Sequence, residues 1–328
     1  MESLLTVKNL SIAFGNKNNP TFAVKKASFS LKKQQSLAIV GESAAGKSIL
    51  ALAINQCLPT NAWLSNDSSI IFETIELLQC SEQTMQRIRG KTISMIFQET
   101  LSALNPIQKV GLQVTETLLL HTNLNKQQRF QKTLEIFQDV NLTNPKIVFN
   151  KYPHQLSGGM QQRIIIAIAL ATQPSLLLAD EPTTALDITT QQNLIRLLNK
   201  LKAKYNMSII FITHNLLLAQ QISDHTLVMY QGEIIESNPN ILINPQHNYT
   251  KQLINNTTLL QKTSNQQNNL PLLIIKNATV KLKKTTILDN IDLTLYDNST
   301  CALIGESGSG KTTLARAICN LQKLTQGT

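Results

Sequence analysis

The chain has 328 residues, of which 42% are hydrophobic, and a formal net charge of +10. This length and apolar content are typical of one large or two ordinary globular domains and exclude a disordered chain. No uninterrupted apolar run approaches the roughly 20 residues that a membrane-spanning helix needs, and the opening residues alternate like a strand rather than a signal peptide.

The first unit of the chain alternates strand-like and helix-like segments. Two alternating strands open it, followed by an apolar strand at 36–40, a glycine-rich turn and a helix. A later segment, 193–205, repeats leucine at the i, i+3, i+4, i+7 spacing of a helix. Short apolar runs suited to buried parallel strands stand between the helical segments, at 92–97, 175–180, 208–213 and 226–230. This alternation predicts an α/β domain around a mostly parallel sheet.

The opening pattern of the chain occurs twice. VKNLSIAF is echoed by IKNATVKL, and GESAAGKS by GESGSGKT. In both copies we predict an apolar strand (SLAIV, then CALI) before the glycine-rich turn. Between the copies the chain becomes rich in Asn and Gln, and 261–270 reads as a flexible linker. We divide the chain into a first domain at 1–243, a tail and linker at 244–271, and a second unit at 272–328. The 57 residues of the second unit are at the lower limit for an independent core.

The glycine-rich turn at 41–48 fits the phosphate-binding pattern G-x-x-x-x-G-K-[ST]. Its backbone N–H groups would converge on phosphate oxygens at the N-terminus of a helix. Lys47 is then placed to reach the β- and γ-phosphates, and the Ser48 hydroxyl to bind Mg²⁺. Ala44 stands where the second copy has Gly308, and costs about 1 kcal/mol or more if the position needs a positive φ.

Polar side chains follow two of the apolar strands. LLLADEP ends in Asp180 and Glu181, and FITH ends in His214. Each has a structural explanation by itself, because carboxylates at strand ends often cap helices and a lone histidine is more often structural. After a phosphate-binding loop, however, Asp180 is suited to orient Mg²⁺ and Glu181 to polarise an attacking water, with His214 near the γ-phosphate.

The segment LSGGMQQR at 156–163 also allows two interpretations. Ser157 and the two following glycines can simply cap and open a helix. Alternatively, they form a second anion-binding helix terminus aimed at a nucleotide that another domain holds.

Together these motifs resemble the ATPase subunits of ABC transporters, particularly the oligopeptide/dipeptide importer branch. The stretch from YPHQLSGGMQQR to LLLADEPTTALD carries the resemblance, with MIFQETLSALNPI as its glutamine loop and NPQHNYTKQLI as its tail. The resemblance runs through 1–255 and restarts near 272. It implies a P-loop ABC ATPase domain with a mostly parallel sheet core, an antiparallel β subdomain and a helical subdomain, followed by the N-terminal part of a second ABC domain.

The resemblance also implies a role for each matching residue. Glu181, His214 and Gln98 would be catalytic, and Ser48, Gln98 and Asp180 would contact Mg²⁺. Phe14 would stack on adenine, and Asp187 would form the D-loop unless it only caps a helix. The remaining ATP-binding residues are those of the first P-loop, the signature and the second P-loop: Gly41, Glu42, Ser43, Ala44, Ala45, Gly46, Lys47, Ser48, Ser157, Gly158, Gly159, Gln161, Gly305, Glu306, Ser307, Gly308, Ser309, Gly310, Lys311 and Thr312.

Some residues depart from the family pattern. Glu99 and Thr100 replace the usual Asp-Pro after the glutamine, and Leu282 takes the adenine-stacking position in the second copy. Residues 215–300 contain no cysteine, so the iron–sulfur centre of some members of the branch is not expected. The cysteines have no paired spacing, which favours free thiols in a reducing cytoplasm: Cys57, Cys80, Cys301 and Cys319.

The expected function is ATP hydrolysis that energises an importer of di- or oligopeptides or related small solutes, at the cytoplasmic face of the membrane. The implied cofactors are ATP and Mg²⁺. The implied partners are membrane permease subunits, a second ABC ATPase domain from another copy or subunit and, indirectly, a solute-binding protein.

Two alternatives stay open. The chain is a truncated remnant that binds ATP without coupled transport, since residues 272–328 carry a P-loop but no signature. Or it is a soluble tandem ATPase that acts on ribosomes or nucleic acid. The short linker and the SALNPI stretch count against the second alternative, so no nucleic-acid partner is expected, and the scattered Lys and Arg residues fit a solvated basic surface. The identity of the solute is not encoded in this chain.

Overall fold

The computed structural model describes residues 2–16, 20–98, 103–184, 186–257, 270–282, 285–305 and 308–328. Contacts within the chain group it into two units, the first Met1–Ala185 with Thr190–Thr258, the second Leu186–Thr189 with Leu259–Thr328. The first unit therefore extends past the predicted domain end at 243 and takes in the start of the tail.

The strands of the first unit fall into two sheets. In chain order they are β1 (Ser3–Phe14), β2 (Thr21–Lys32), β3 (Ser36–Val40), β4 (Ala62–Leu64), β5 (Ser69–Phe72), β6 (Ile75–Glu76), β7 (Ile93–Ile96), β8 (Leu176–Asp180), β9 (Ser208–Thr213), β10 (His225–Tyr230) and β11 (Glu233–Asn238). The antiparallel sheet has the order β2-β1-β5-β6, with β4 also paired to β1. The second sheet has the order β11-β10-β3-β9-β8-β7, and only its β10–β11 pair is antiparallel.

Helices follow and connect the strands. They are α1 (Lys47–Ile54), α2 (Glu82–Ile88), α3 (Val110–His121), α4 (Lys126–Asp139), α5 (Pro145–Phe149), α6 (Gly158–Leu170), α7 (Ile188–Tyr205), α8 (Leu216–Ile222) and α9 (Asn248–Thr257), with short 3-10 turns at Leu77–Gln79 and Pro153–Gln155. Helices α3, α4, α5 and α6 contact one another and form a helical layer. In the part of the chain that the structure describes, no helix is both long and apolar enough to cross a membrane.

The mostly parallel sheet predicted from the sequence is confirmed. Strands β7, β8, β9 and β10 lie within one residue of the predicted runs at each end, and β3 matches its run. Every residue of β3, β8 and β9 is buried, as expected for central parallel strands whose two faces are both covered. Parallel strands end at a common edge, so the loops after β3, β8 and β9 meet there.

The tail helix α9 packs on the first unit. Tyr249 and the preceding Ile241 are buried in a cluster with Val40, Leu216 and Val228. The residues just after the predicted domain end are therefore part of its core.

The second unit is a smaller assembly. It contains an antiparallel pair, β12 (Pro271–Leu282) and β13 (Thr285–Tyr296), and one helix, α10 (Lys311–Ile318). Its core is formed by a few apolar side chains: Ile275, Ala278, Val280, Leu288 and Leu314.

The strand predicted at CALI (301–304) is wrong. These residues are coil, and Leu303 and Ile304 are 44% and 90% exposed. The equivalent strand of the first unit, β3, is paired on its two edges with β9 and β10. The described residues of the second unit supply no strand beyond β12 and β13, so this apolar run has no pairing partner.

Candidate active site

The phosphate-binding loop at 41–48 joins β3 to α1 and passes close to two neighbouring strands. A Cβ atom on Gly41 would lie 2.2 Å from the carbonyl oxygen of Met229 in β10. Gly46 has a φ of +99°, and a Cβ there would lie 2.3 Å from the carbonyl oxygen of Ala23 in β2. Only glycine fits at either position, so the sheets fix the path of the loop between them.

Ala44 adopts the left-handed backbone conformation considered from the sequence. Its φ is +64°, and Gly308 at the same place in the second copy has a φ of +85°. An alanine at this φ crowds its own backbone, so the expected cost applies to the first loop.

The Lys47 side chain lies across this loop and is only 4% exposed. Its Nζ atom donates to the carbonyl oxygens of Gly41 (2.9 Å) and Glu42 (2.7 Å) and lies 4.0 Å from Oε1 of Glu181. Burial lowers the pKa of Lys47, against the opposing effect of the charges on Glu181 and Asp180. A buried ammonium group at this place is suited to receive phosphate oxygens.

Ser48 and Asp180 meet at the carboxyl end of the sheet. The Ser48 hydroxyl donates to Oδ1 of Asp180 at 3.0 Å. Burial raises the pKa of Asp180, and the charge on Glu181 adds to this, while the hydrogen bond from Ser48 opposes it. A hydroxyl and a carboxylate oxygen are hard ligands of the kind that Mg²⁺ prefers. Among the described residues, no group of three or more His, Cys, Asp and Glu residues has the geometry of a metal site.

Glu181 comes directly after β8 and has a φ of +45°. Its Oε2 atom accepts a hydrogen bond from the Thr184 hydroxyl at 3.0 Å and lies 3.3 Å from Nδ1 of His214. The Glu181 side chain is nearly buried, whereas His214 is 62% exposed at the end of β9. The structure thus brings Lys47, Ser48, Asp180, Glu181 and His214 into one cluster.

The segment LSGGMQQR opens α6 as predicted. Ser157 is the N-cap, and its hydroxyl accepts from the N–H of Met160 at 3.4 Å. The Gln161 side chain donates to the carbonyl oxygens of Pro153 (2.7 Å) and Leu156 (3.3 Å), and so braces the turn before the helix. Ser157 and Gly158 are exposed and Gly159 partly so, which leaves the start of α6 open to a binding partner.

Other predicted residues are not part of this cluster. Phe14 ends β1 and is half-buried, and Gln98 is exposed two residues after β7. Asp187 lies in the short segment that groups with the second unit. Glu99 and Thr100, which depart from the family pattern, lie outside the described residues.

The second phosphate-binding loop is described only in part, because Glu306 and Ser307 lie outside the described residues. Gly308 and Gly310 have φ values of +85° and +93°, close to those of Ala44 and Gly46. Lys311 donates to the carbonyl oxygen of Gly305 at 2.7 Å, as Lys47 does to Gly41. The described part therefore repeats the backbone path of the first loop.

Sequence reasoning missed several residues that support the site. Thr184 holds Glu181, the buried Gln162 side chain donates to the carbonyl oxygen of Pro182 at 2.9 Å, and Tyr249 contacts Glu42. Gln162 and Tyr249 both lie in motifs noted from the sequence, but nothing in the sequence shows which backbone group each one contacts.

Comparison with known proteins relates this chain to the ATP-binding proteins of ABC transporters. The ABC transporter family model matches residues 24–184 and 288–328. The oligopeptide transport ATP-binding protein OppD of Bacillus subtilis (strain 168) is 41% identical over 265 residues, 80% of this chain and 74% of OppD. AppD of the same organism, also an oligopeptide transport ATP-binding protein, is 41% identical over 77% of this chain and 78% of AppD. The glutathione import ATP-binding protein GsiA of Escherichia coli O1:K1 / APEC is 41% identical over 76% of this chain, which spans only 41% of GsiA.

Solved structures share the fold. The dimeric post-hydrolysis state of the ATP-binding cassette MJ0796, bound to ADP and Pi, has a TM-score of 0.63 at 26% identity, covering 71% of this chain and 97% of that one. CbiO1 of Clostridium perfringens, part of the ABC transporter complex cbiONQ, has a TM-score of 0.62 at 24% identity over 73% and 90% of the two chains, a likeness of fold alone.

The fold and the cluster at the sheet edge define an ATP-hydrolysing enzyme of the P-loop class. Such an enzyme uses a lysine, a hydroxyl and carboxylates around the phosphates. Here the lysine and hydroxyl follow the loop after β3, and the carboxylates lie at the end of β8, with β9 between the two strands. Within that class, the chain belongs to the ABC transporter family.

Proposed function

We propose that this chain energises an importer of oligopeptides or related small solutes by hydrolysing ATP. The observation that carries the proposal is the 41% identity to OppD and AppD, named for oligopeptide transport, over about three quarters of each protein. GsiA, named for glutathione import, widens the solute class to small peptides in general.

Different residues of the first unit would bind the nucleotide, activate the water and hold the metal ion. Lys47 and the N–H groups of the loop would hold the phosphates, and Phe14 would stack on the adenine. Glu181, oriented by Thr184, would accept a proton from the attacking water, while His214 would contact the γ-phosphate. Ser48, Asp180 and Gln98 would hold Mg²⁺, which when bound neutralises charge on the phosphate oxygens.

A second ABC ATPase domain is needed to complete the site. The start of α6, with Ser157, Gly158 and Gly159, would face the ATP held by another copy or another subunit, and Gln161 would brace it. Two observations support this: these residues are at least partly exposed, and the MJ0796 cassette is dimeric in its structure bound to ADP and Pi. Asp187 would then serve as the D-loop residue between the two domains.

Residues 272–328 would be the N-terminal part of a second ABC domain. The family model matches 288–328, and the φ angles of the second loop follow those of the first. This part of the chain carries a phosphate-binding loop without a signature or Walker B carboxylates. Lys311 and its neighbours in this loop would bind phosphate.

We expect the protein to lie at the cytoplasmic face of the membrane, bound to permease subunits. A solute-binding protein would deliver the solute to these subunits. Closure of two ATPase domains on ATP would move the permease, and hydrolysis would reset it. The family resemblance supports these partners.

Replacing Glu181 by Gln tests the proposal. The variant should bind ATP, fail to hydrolyse it and accumulate as an ATP-bound dimer, measured by light scattering coupled to size-exclusion chromatography. Glu82→Gln, which changes an exposed ion pair with Arg89, is the matched control and should behave like the wild type. Undiminished turnover in Glu181→Gln would refute the catalytic assignment. A wild-type chain that binds ATP but never hydrolyses it would favour the remnant alternative.

A further inference from the structure

The tail of the first unit makes a direct contact with the phosphate-binding loop. The Tyr249 hydroxyl, in α9, accepts a hydrogen bond from the backbone N–H of Glu42 at 2.9 Å, across 207 residues of sequence. Tyr249 is only 7% exposed, and its ring packs on that of Tyr230 with centroids 4.3 Å apart. A buried aromatic side chain therefore presents a fixed acceptor to the second residue of the loop.

The start of α9 is anchored independently of the loop. The Glu236 carboxylate, in β11, accepts hydrogen bonds from the N–H groups of Gln246 (2.8 Å) and His247 (3.0 Å). Burial opposes the ionisation of Glu236, yet hydrogen bonds, these two among them, hold its pKa below the usual range. His247 in turn accepts from the N–H of Tyr249 at 3.1 Å. Contacts within β11 and α9 therefore fix the position of the Tyr249 hydroxyl, independently of its hydrogen bond to the loop.

Glu42 is held on both sides of its backbone. Tyr249 binds its N–H group, and Lys47 donates to its carbonyl oxygen at 2.7 Å. When Lys47 turns to a phosphate it gives up that second contact, and Tyr249 then remains to hold Glu42. The loop also contains Ala44, with a φ of +64°. The steric strain at this residue favours other backbone conformations of the loop over the phosphate-binding one.

We propose that Tyr249 is a positioning residue for ATP binding, and that its hydroxyl keeps the phosphate-binding loop in the shape that receives nucleotide. We assign the role to the hydroxyl, because the hydroxyl bonds to the loop backbone, while the ring packs on Tyr230. The tail segment NPQHNYTKQLI is then part of the nucleotide site rather than a connection to the second unit.

The test compares Tyr249→Phe with Tyr230→Phe in the full chain. Each variant removes one hydroxyl from the same pair of rings. Within the described residues, the Tyr230 hydroxyl accepts its hydrogen bond from the exposed Gln231 side chain, at 3.1 Å, and not from the loop. The affinity for fluorescent ADP is measured at a temperature well below the thermal unfolding midpoints of both variants. Both proteins are then fully folded, so a difference in global stability does not change the measured affinity. Hydrogen exchange of the peptide that covers 41–48 is measured on the same samples.

Tyr249→Phe should weaken ADP binding by about 3- to 10-fold, the scale of one hydrogen bond, and speed amide exchange in the loop. Tyr230→Phe should stay within about 2-fold of the wild type in both measurements. Wild-type loop exchange in Tyr249→Phe would overturn the proposal, whatever its stability. Equal losses in both variants would also overturn it, because the ring pair and not the hydroxyl would then be responsible.

Discussion

The hydroxyl oxygen of Ser48 lies 3.0 Å from Oδ1 of Asp180, although 132 residues separate them in sequence. Ser48 follows β3 and Asp180 ends β8, and β9 pairs with both strands between them. The contact therefore depends on the parallel arrangement of three buried strands, and the chemistry at this edge is a consequence of the strand order.

Replacing Lys47 by Ala should abolish ATP hydrolysis, whereas replacing Lys311 by Ala should leave it intact. Lys47 lies 4.0 Å from Glu181 in the cluster of the first unit, whereas Lys311 belongs to the loop of the second unit. Phosphate release by the two variants at equal concentration provides the comparison. Loss of hydrolysis in Lys311→Ala would mean that the second loop takes part in turnover.

Replacing Ala44 by Gly should stabilise the first unit by about 0.5–1 kcal/mol, because glycine relieves the crowding at a φ of +64°. Ala45→Gly is the matched control. Ala45 is buried and its φ is not positive, so losing its methyl group should destabilise the unit. Urea unfolding midpoints measure both changes. A midpoint that falls in Ala44→Gly would show that the loop is not strained there.

Replacing Asp180 by Asn should stabilise the nucleotide-free protein at pH 7 while removing ATP hydrolysis. Burial raises the pKa of Asp180, so its ionised form is a cost to the folded state. That cost is present above the folded-state pKa and disappears as the pH falls through it towards the unfolded value of about 3.9. The advantage of Asp180→Asn should therefore shrink on acidification.

Unfolding midpoints of Asp180→Asn between pH 7.5 and about pH 4 measure this change. Asp67→Asn, which alters an exposed carboxylate, should track the wild type throughout. An Asp180→Asn variant less stable than the wild type at pH 7 would contradict the assigned burial cost.

Much of the fold and site follows from local sequence. The strands β3, β8 and β9 were predicted because apolar runs bounded by turns can be buried on both faces. The cluster of Lys47, Asp180 and Glu181 follows because Lys47 ends the loop after β3, whereas Asp180 ends β8 and Glu181 directly follows it. The glycine at the same place in the second copy raised the question whether Ala44 has a positive φ, and the structure shows that it does.

Other features depend on pairing partners that local sequence does not reveal. CALI has the same apolar character as β3, but it forms no strand, because a strand needs neighbours and the described second unit provides none for it. The bond between Tyr249 and Glu42 joins a tail helix to the first loop, and only the packing of α9 on β10 and α8 creates it.

The central claim is that the first unit hydrolyses ATP at a site completed by a second copy or subunit, with Glu181 as the base. The most direct measurement is phosphate release per chain over a wide range of protein concentration, with wild type beside Glu181→Gln. The account predicts a wild-type rate per chain that rises with concentration, and a rate at least about 100-fold lower in Glu181→Gln at every concentration. A rate independent of concentration, and the same in both proteins, would contradict it.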